Sequence, residues 1–149
     1  MIVAIKWLVD SNVVSEMMRP LPDRRVATFL DSISNEGLGL ATITVWEILN
    51  GIARLDSSRR RSTLTDQFQN TVDVLFEDRI VEWTKSDAQS CALIMERKQR
   101  RGEALDDHLP DAMLAAAAYS RNLSIVTRNT RDFRNTGVDT IDPWIAPLR

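Results

Sequence analysis

The amino-acid sequence predicts an α/β domain built on a mostly parallel sheet, and three observations carry that prediction. Short apolar runs alternate with longer amphipathic stretches from one end of the chain to the other. No repeat, low-complexity tract or linker interrupts the alternation, so a single domain is expected over residues 1–149. With 149 residues, 44% of them hydrophobic, there is material for one real core.

The elements follow in order. Ile5-Lys6-Trp7-Leu8-Val9 is the first strand, and a helix follows Asp10 directly. A second helix is expected from about Pro22 to Ser34, with proline in the first turn, where a missing N–H costs nothing. A strand at 38–41 precedes a helix over Val45 to Leu55. A long helix starts near Ser57 or Ser58 and reaches about Phe76; Leu64, Phe68, Val72, Leu75 and Phe76 supply its apolar stripe. A strand at 79–82 leads to helices over Ser86 to Arg100 and Pro110 to Ser120. The last of these should end at Asn122, a residue that tolerates the left-handed conformation. Its segment Ala112 to Ala118 is small and weakly polar, and is expected against the sheet or a facing helix. Strands at 124–127 and 138–141 complete the chain.

Composition excludes several chemistries. The net charge of −2 does not favour nucleic acid globally, so any such binding must rest on local patches. One cysteine, Cys91, excludes an intramolecular disulfide and a multi-cysteine zinc site; its expected role is core volume. One histidine, His108, excludes paired-histidine zinc and is expected in a surface or capping role. The N-terminal apolar stretch is broken by Lys6 and Asp10, too short for a signal peptide, and no run approaches a membrane span. A cytoplasmic protein with no membrane partner is expected.

Four acidic residues stand out: Asp10, Glu47, Asp111 and Asp132, each expected where a βα unit turns over. Singly, each has a plain explanation. Asp10 and Asp111 suit helix starts, where a carboxylate complements the dipole, and Asp132 suits an Asx turn. Glu47, set among Val45, Trp46, Ile48 and Leu49, is harder to dismiss. Jointly they matter more, because the carboxyl ends of parallel strands share one crevice. Carboxylates about 5 Å apart repel by about 3 kcal/mol per pair at an effective dielectric near 20. Such a cluster calls for a cation, a proton or a basic group. Asn12, Thr127 and Asn129 are placed to orient ligands or a bound water.

On these residues the chain resembles the PIN-domain ribonucleases, specifically the VapC/FitB-like toxins of prokaryotic toxin–antitoxin pairs. The motifs are Asp10-Ser11-Asn12-Val13-Val14-Ser15-Glu16, Thr44-Val45-Trp46-Glu47-Ile48-Leu49-Asn50-Gly51, Asp111-Ala112-Met113-Leu114-Ala115-Ala116 and Val126-Thr127-Arg128-Asn129-Thr130-Arg131-Asp132-Phe133. The closing Thr136-Gly137-Val138 and Asp142-Pro143-Trp144 also look like the family's last strand and tail. Each motif is weak alone, but four in order along essentially the whole chain are specific. Ser11 stands where the family more often has threonine, as does Ala117; neither is a proposed ligand.

The resemblance implies a three-layer α/β/α fold and a Mg²⁺- or Mn²⁺-dependent endoribonuclease with Asp10, Glu47, Asp111 and Asp132 as catalytic and metal-binding acids. It also implies a homodimer and a small cognate antitoxin whose C-terminal segment covers the groove. An acidic site needs cations to hold RNA. Arg128, Arg131 and Arg134, spaced by three around Asp132, are the first candidates; Arg59-Arg60-Arg61 and Arg97-Lys98 with Arg100-Arg101 are weaker ones, since charge runs at helix ends are commonly just solvated. Met17, Met18, Trp46 and the long helix are either core or contact surface. A haloacid-dehalogenase-like phosphatase fits poorly because Asn12 stands where its second aspartate belongs, and a response-regulator receiver fits poorly because Asp10 lacks an acidic neighbour. The remaining alternative is a non-catalytic RNA- or protein-binding module that keeps the fold and the acidic pocket.

Overall fold

The computed structural model describes residues 4–103 and 109–147. His108 and its expected role therefore lie outside the described residues. The strands are β1 Trp7–Val9, β2 Leu38–Ala41, β3 Ile80–Val81, β4 Ser124–Val126 and β5 Thr140–Ile141. All pair in parallel, in the spatial order β3-β2-β1-β4-β5. The helices are α1 Ser11–Met18, α2 Arg24–Ile33, α3 Thr42–Ala53, α4 Ser58–Leu75, α5 Lys85–Arg100 and α6 Leu109–Tyr119, with short 3-10 turns at Ser34–Glu36 and Thr130–Phe133.

Strand periodicity divides the core into two layers. Trp7 and Val9 of β1, Leu38 and Leu40 of β2 and Val126 of β4 face one side, where Val13, Phe29, Ile48 and Phe68 bring in α1 to α4. Leu8, Ala41 and Ile125 face the other, against Cys91 and Ile94 of α5 and the buried run Ala112 to Ala118 of α6. Because both faces of β1 are covered, its three residues are all apolar. The result is the three-layer α/β/α arrangement. Cys91 fills core volume as expected. Met17 and Met18 pack partly buried against the first core layer, whereas Trp46 is 54% exposed. No helix among the described residues is long and apolar enough to cross a membrane.

Local chemistry sets the helix ends. Ser57 Oγ caps α4 by accepting from Arg60 N, and Thr84 and Asp87 form a reciprocal capping box on α5. Asn122 adopts φ 56°, the left-handed stop anticipated for α6. The start of α2 differs from expectation. Asp23, not Pro22, sets it: the Asp23 carboxylate accepts from Arg25 N and Val26 N, leaving Pro22 before the helix. A capping carboxylate satisfies two orphan N–H groups, which proline cannot do.

Two of the acids also sit differently. β2 passes straight into α3, so Glu47 lies in the second turn of that helix, past the strand end. Asp111 is the third residue of α6, which is reached from α5 instead of from a strand. Asp10 does occupy a strand-to-helix junction.

Candidate active site

The site is assembled at the carboxyl end of the central strand. Asp10 caps α1, its Oδ1 accepting from Ser11 N at 2.8 Å. Its Oδ2 accepts from Thr127 Oγ1 at 2.8 Å and from Asn12 Nδ2 at 3.2 Å. Asn12 Nδ2 also reaches Thr127 Oγ1 at 3.3 Å, while its Oδ1 accepts from Arg128 N at 3.1 Å. Asn129 takes part through its backbone, its N–H donating to Thr127 Oγ1 at 3.0 Å. The Asp10 carboxylate, only 3% exposed, is thereby fixed in direction from both β1 and β4. Burial pushes its pKa up, and the Thr127, Ser11 and Asn12 hydrogen bonds offset that only in part.

Glu47 looks into the same space from α3. Burial first, then the charges of Asp10 and Asp111, together raise its pKa from 4.5 to about 7. Glu47 therefore feels a carboxylate at the start of α1 and another in α6. One turn before Glu47, Thr44 Oγ1 is buried with no hydrogen-bond partner among the described residues. As they stand, no three acidic, histidine or cysteine side chains among the described residues are close enough together to enclose a metal. The donor set nevertheless fits a hard cation of the Mg²⁺ kind, which takes oxygen ligands, needs only one or two carboxylates and keeps several waters.

The position of this cluster is diagnostic. β1 continues to β2 on one side, while β4 lies on its other side, so the chain reverses its direction of travel between β1 and β4. Ligands of open parallel sheets bind in the crevice at that reversal, and the Asp10–Thr127 hydrogen bond spans it. Against known families, the model described as the PIN domain matches residues 7–139. The chain belongs to the PIN-domain family.

Among curated relatives this PIN domain is similar to the toxin FitB of Neisseria gonorrhoeae, 32% identical over 137 residues, which are 92% of this chain and 97% of that protein. It is also 29% identical over 137 residues to a VapC ribonuclease of Sinorhizobium fredii, covering 92% and 96% of the two chains. Among solved structures, FitAcB from Neisseria gonorrhoeae superimposes with a TM-score of 0.81 at 31% identity, covering 94% of this chain and 99% of that one.

The fourth acid of this PIN domain, Asp132, lies half-buried in the 3-10 turn after β4. Lys98 holds that turn: it is 2% exposed, paired with Glu103 at 3.1 Å, and donates to the Asp132 carbonyl oxygen at 3.2 Å. Lys98 is thus a structural cation, not a surface one for RNA. No local pattern announces this, because a lysine beside Arg97 and Arg100 at a helix end looks solvated. Arg61 is likewise engaged, its guanidinium donating to the Leu55 and Asp56 carbonyls at the end of α3. Arg128, Arg131 and Arg134 are all exposed.

A groove of about 500 Å³ opens beside Glu47, lined by Ser11, Ser15, Arg19, Ile52, Arg60 and Leu64 among others. Ser15 had no individual signal in the sequence, whereas Arg60 belongs to the Arg59-Arg60-Arg61 run named above as a weaker RNA-binding candidate. They meet only because α4 packs against α1 and α3.

Proposed function

We propose that this PIN domain is a divalent-metal-dependent endoribonuclease and the toxin of a toxin–antitoxin pair. The observation that carries the proposal is the Asp10 carboxylate, buried and fixed by Thr127 and Asn12 at the sheet's reversal point, with Glu47 in electrostatic reach of Asp10 and Asp111. Similarity to proteins named toxin FitB and VapC ribonuclease supports it.

Asp10, Glu47 and Asp111 would hold the cation, with Asp132 joining directly or through water. When bound there, a divalent cation polarises a phosphodiester and makes water a better nucleophile at neutral pH. The chain's own residues do the rest. Thr127 and Asn12 fix the Asp10 carboxylate so that it need not reorganise as charge develops. Glu47 is about half protonated near neutrality and must release its proton before its carboxylate can ligate. Arg128, Arg131 and Arg134 counter the repulsion between an acidic crevice and the RNA backbone. Hydrolysis by this route needs no covalent enzyme intermediate.

The test is cleavage of a total-RNA sample by purified protein, in Mg²⁺ or Mn²⁺ against chelator, and wild type against Asp10→Asn. Discrete fragments that require both metal and Asp10 are expected, and the fragments identify the target RNA. A folded, antitoxin-free protein that binds RNA without cleaving it would mean a binding module instead. The toxin role predicts a neighbouring gene for a short DNA-binding protein, whose product inhibits the cleavage, and a homodimer by sedimentation. An isolated gene removes the first of these supports.

A further inference from the structure

A second feature lies at the same end of the sheet, outside the acidic crevice. Trp144 follows β5 and packs partly buried against the first core layer. The Arg128 guanidinium lies over its ring, 4.3 Å from the centroid. From α2, Arg25 donates to the Trp144 carbonyl oxygen at 3.2 Å. Arg24, Arg25, Thr28, Trp144, Ile145 and Ala146 line an open cavity of about 400 Å³. Arg24, Arg25 and Arg128 are exposed, and none is ion-paired among the described residues, unlike Arg19, Arg79, Arg100 and Arg121. The neighbouring acids are occupied by backbone N–H groups: Asp23 accepts from Arg25 and Val26, and Asp142 from Trp144.

Two arginines in the first turn of α2 stand against the positive end of the helix dipole, a placement that costs stability. Positive charge that costs stability and gains no internal carboxylate suits an external anion. Polyvalent phosphate alone would not need the aromatic ring. A guanidinium held over a tryptophan ring yet open to solvent offers a stacking surface to a nucleobase, with the flanking arginines placed for phosphates. The patch is also continuous with the acidic crevice: Arg128 N donates to Asn12 Oδ1, and Asn12 donates to Asp10.

We infer that Trp144, Arg128, Arg24 and Arg25 form a second subsite for single-stranded RNA, with a base stacked on the Arg128–Trp144 pair and its flanking phosphates on Arg24 and Arg25. This rests on the ribonuclease proposal for the identity of the ligand. The test is anisotropy titration of a labelled single-stranded RNA of about 12 nucleotides, long enough to span crevice and patch, in chelator and across a salt series. Wild type is compared with Arg24→Glu, Trp144→Leu and Trp144→Phe. Arg24→Glu places an acid in the first turn of α2, which favours the helix, so weaker binding by that variant does not report unfolding. The expected result is a Kd about tenfold higher for Arg24→Glu and for Trp144→Leu, with Trp144→Phe close to wild type. The salt slope should fall by about 1 or more for Arg24→Glu.

An unchanged Kd and slope for both variants overturns the subsite, as does the absence of RNA binding by wild type. A poly-glutamate competitor as effective as RNA assigns the patch to an acidic protein segment and overturns it as well. The total-RNA cleavage assay, run alongside, separates the two proposals. Binding through the patch without cleavage removes the nuclease and keeps the subsite; cleavage with unaltered variant binding does the reverse.

Discussion

Asp10 is buried and Glu47 half-buried, and their surroundings differ further. Asp10 is held by three donors, and Asp10→Asn keeps the shape of the side chain while removing the charge and one accepting oxygen. Cleavage is expected to fall at least about 100-fold with Tm within about 4 °C of wild type, the shift that about 1 kcal/mol produces in a chain of this size. Global unfolding of Asp10→Asn, seen by circular dichroism, would make that carboxylate structural. Glu47 has no such network among the described residues, and its pKa of about 7 has a stability consequence. The folded protein binds this proton more tightly than the unfolded chain, where glutamate titrates near 4.5. The contribution is therefore fully present below pH 4.5 and is lost as pH rises through about 7. In chelator, Tm should drop between about pH 5 and pH 8, and Glu47→Gln should flatten that drop. An identical pH profile for the variant would show that Glu47 is not the titrating group. Neither difference was visible in the sequence, where both residues were simply acids in apolar company.

Between elements, the strongest polar tie outside the site joins α5 to the end of α6. Asp87 is fully buried, and burial alone would raise its pKa. The Arg121 and Ser120 hydrogen bonds, the Thr84 backbone N–H and the Arg121 charge outweigh burial and leave the pKa lowered. Arg121 donates to both Asp87 oxygens, at 2.7 Å and 3.1 Å, and to the Glu82 carbonyl at 2.8 Å. Removing one partner strands a buried charge, so Arg121→Ala should cost about 3–5 kcal/mol in urea unfolding. The sign with pH is opposite to that of Glu47: this tie stabilises above pH 3.8 and is lost as pH falls through the lowered folded value. Asp87 looked like an ordinary first-turn acid, and it is one, through the Thr84 capping box. Its second role depends on a residue 34 positions away, which no local pattern announces. Gly37 is similar: φ is +98° and a Cβ would stand 1.9 Å from the Ala4 carbonyl oxygen, a close approach set by β1 and β2 pairing side by side.

At the scale of the whole molecule, metal binding, folding and pH are linked. Because Glu47 must lose a proton to ligate, Mg²⁺ should raise Tm more at pH 8 than at pH 6. An equal rise at both pH values would mean that Glu47 stays out of the metal site. The five strands and six helices were legible because apolar periodicity and caps are local: Val72 and Phe68 mark α4, and Asn122 marks the end of α6. The boundaries that moved did so where local signals compete, as at Pro22 and Asp23. The α/β class was legible from hydrophobic pattern, the four acids stood out by charge against apolar neighbours, and the family entered through resemblance to its motifs. The sequence did not carry the strand order β3-β2-β1-β4-β5, which sets β1 beside β4 and thereby joins Asp10 to Thr127 across 117 positions. Nor did it carry the burial of Lys98 or the placing of Arg128 over Trp144. Those depend on distances between segments remote in sequence, which are fixed only when both faces of the sheet are packed.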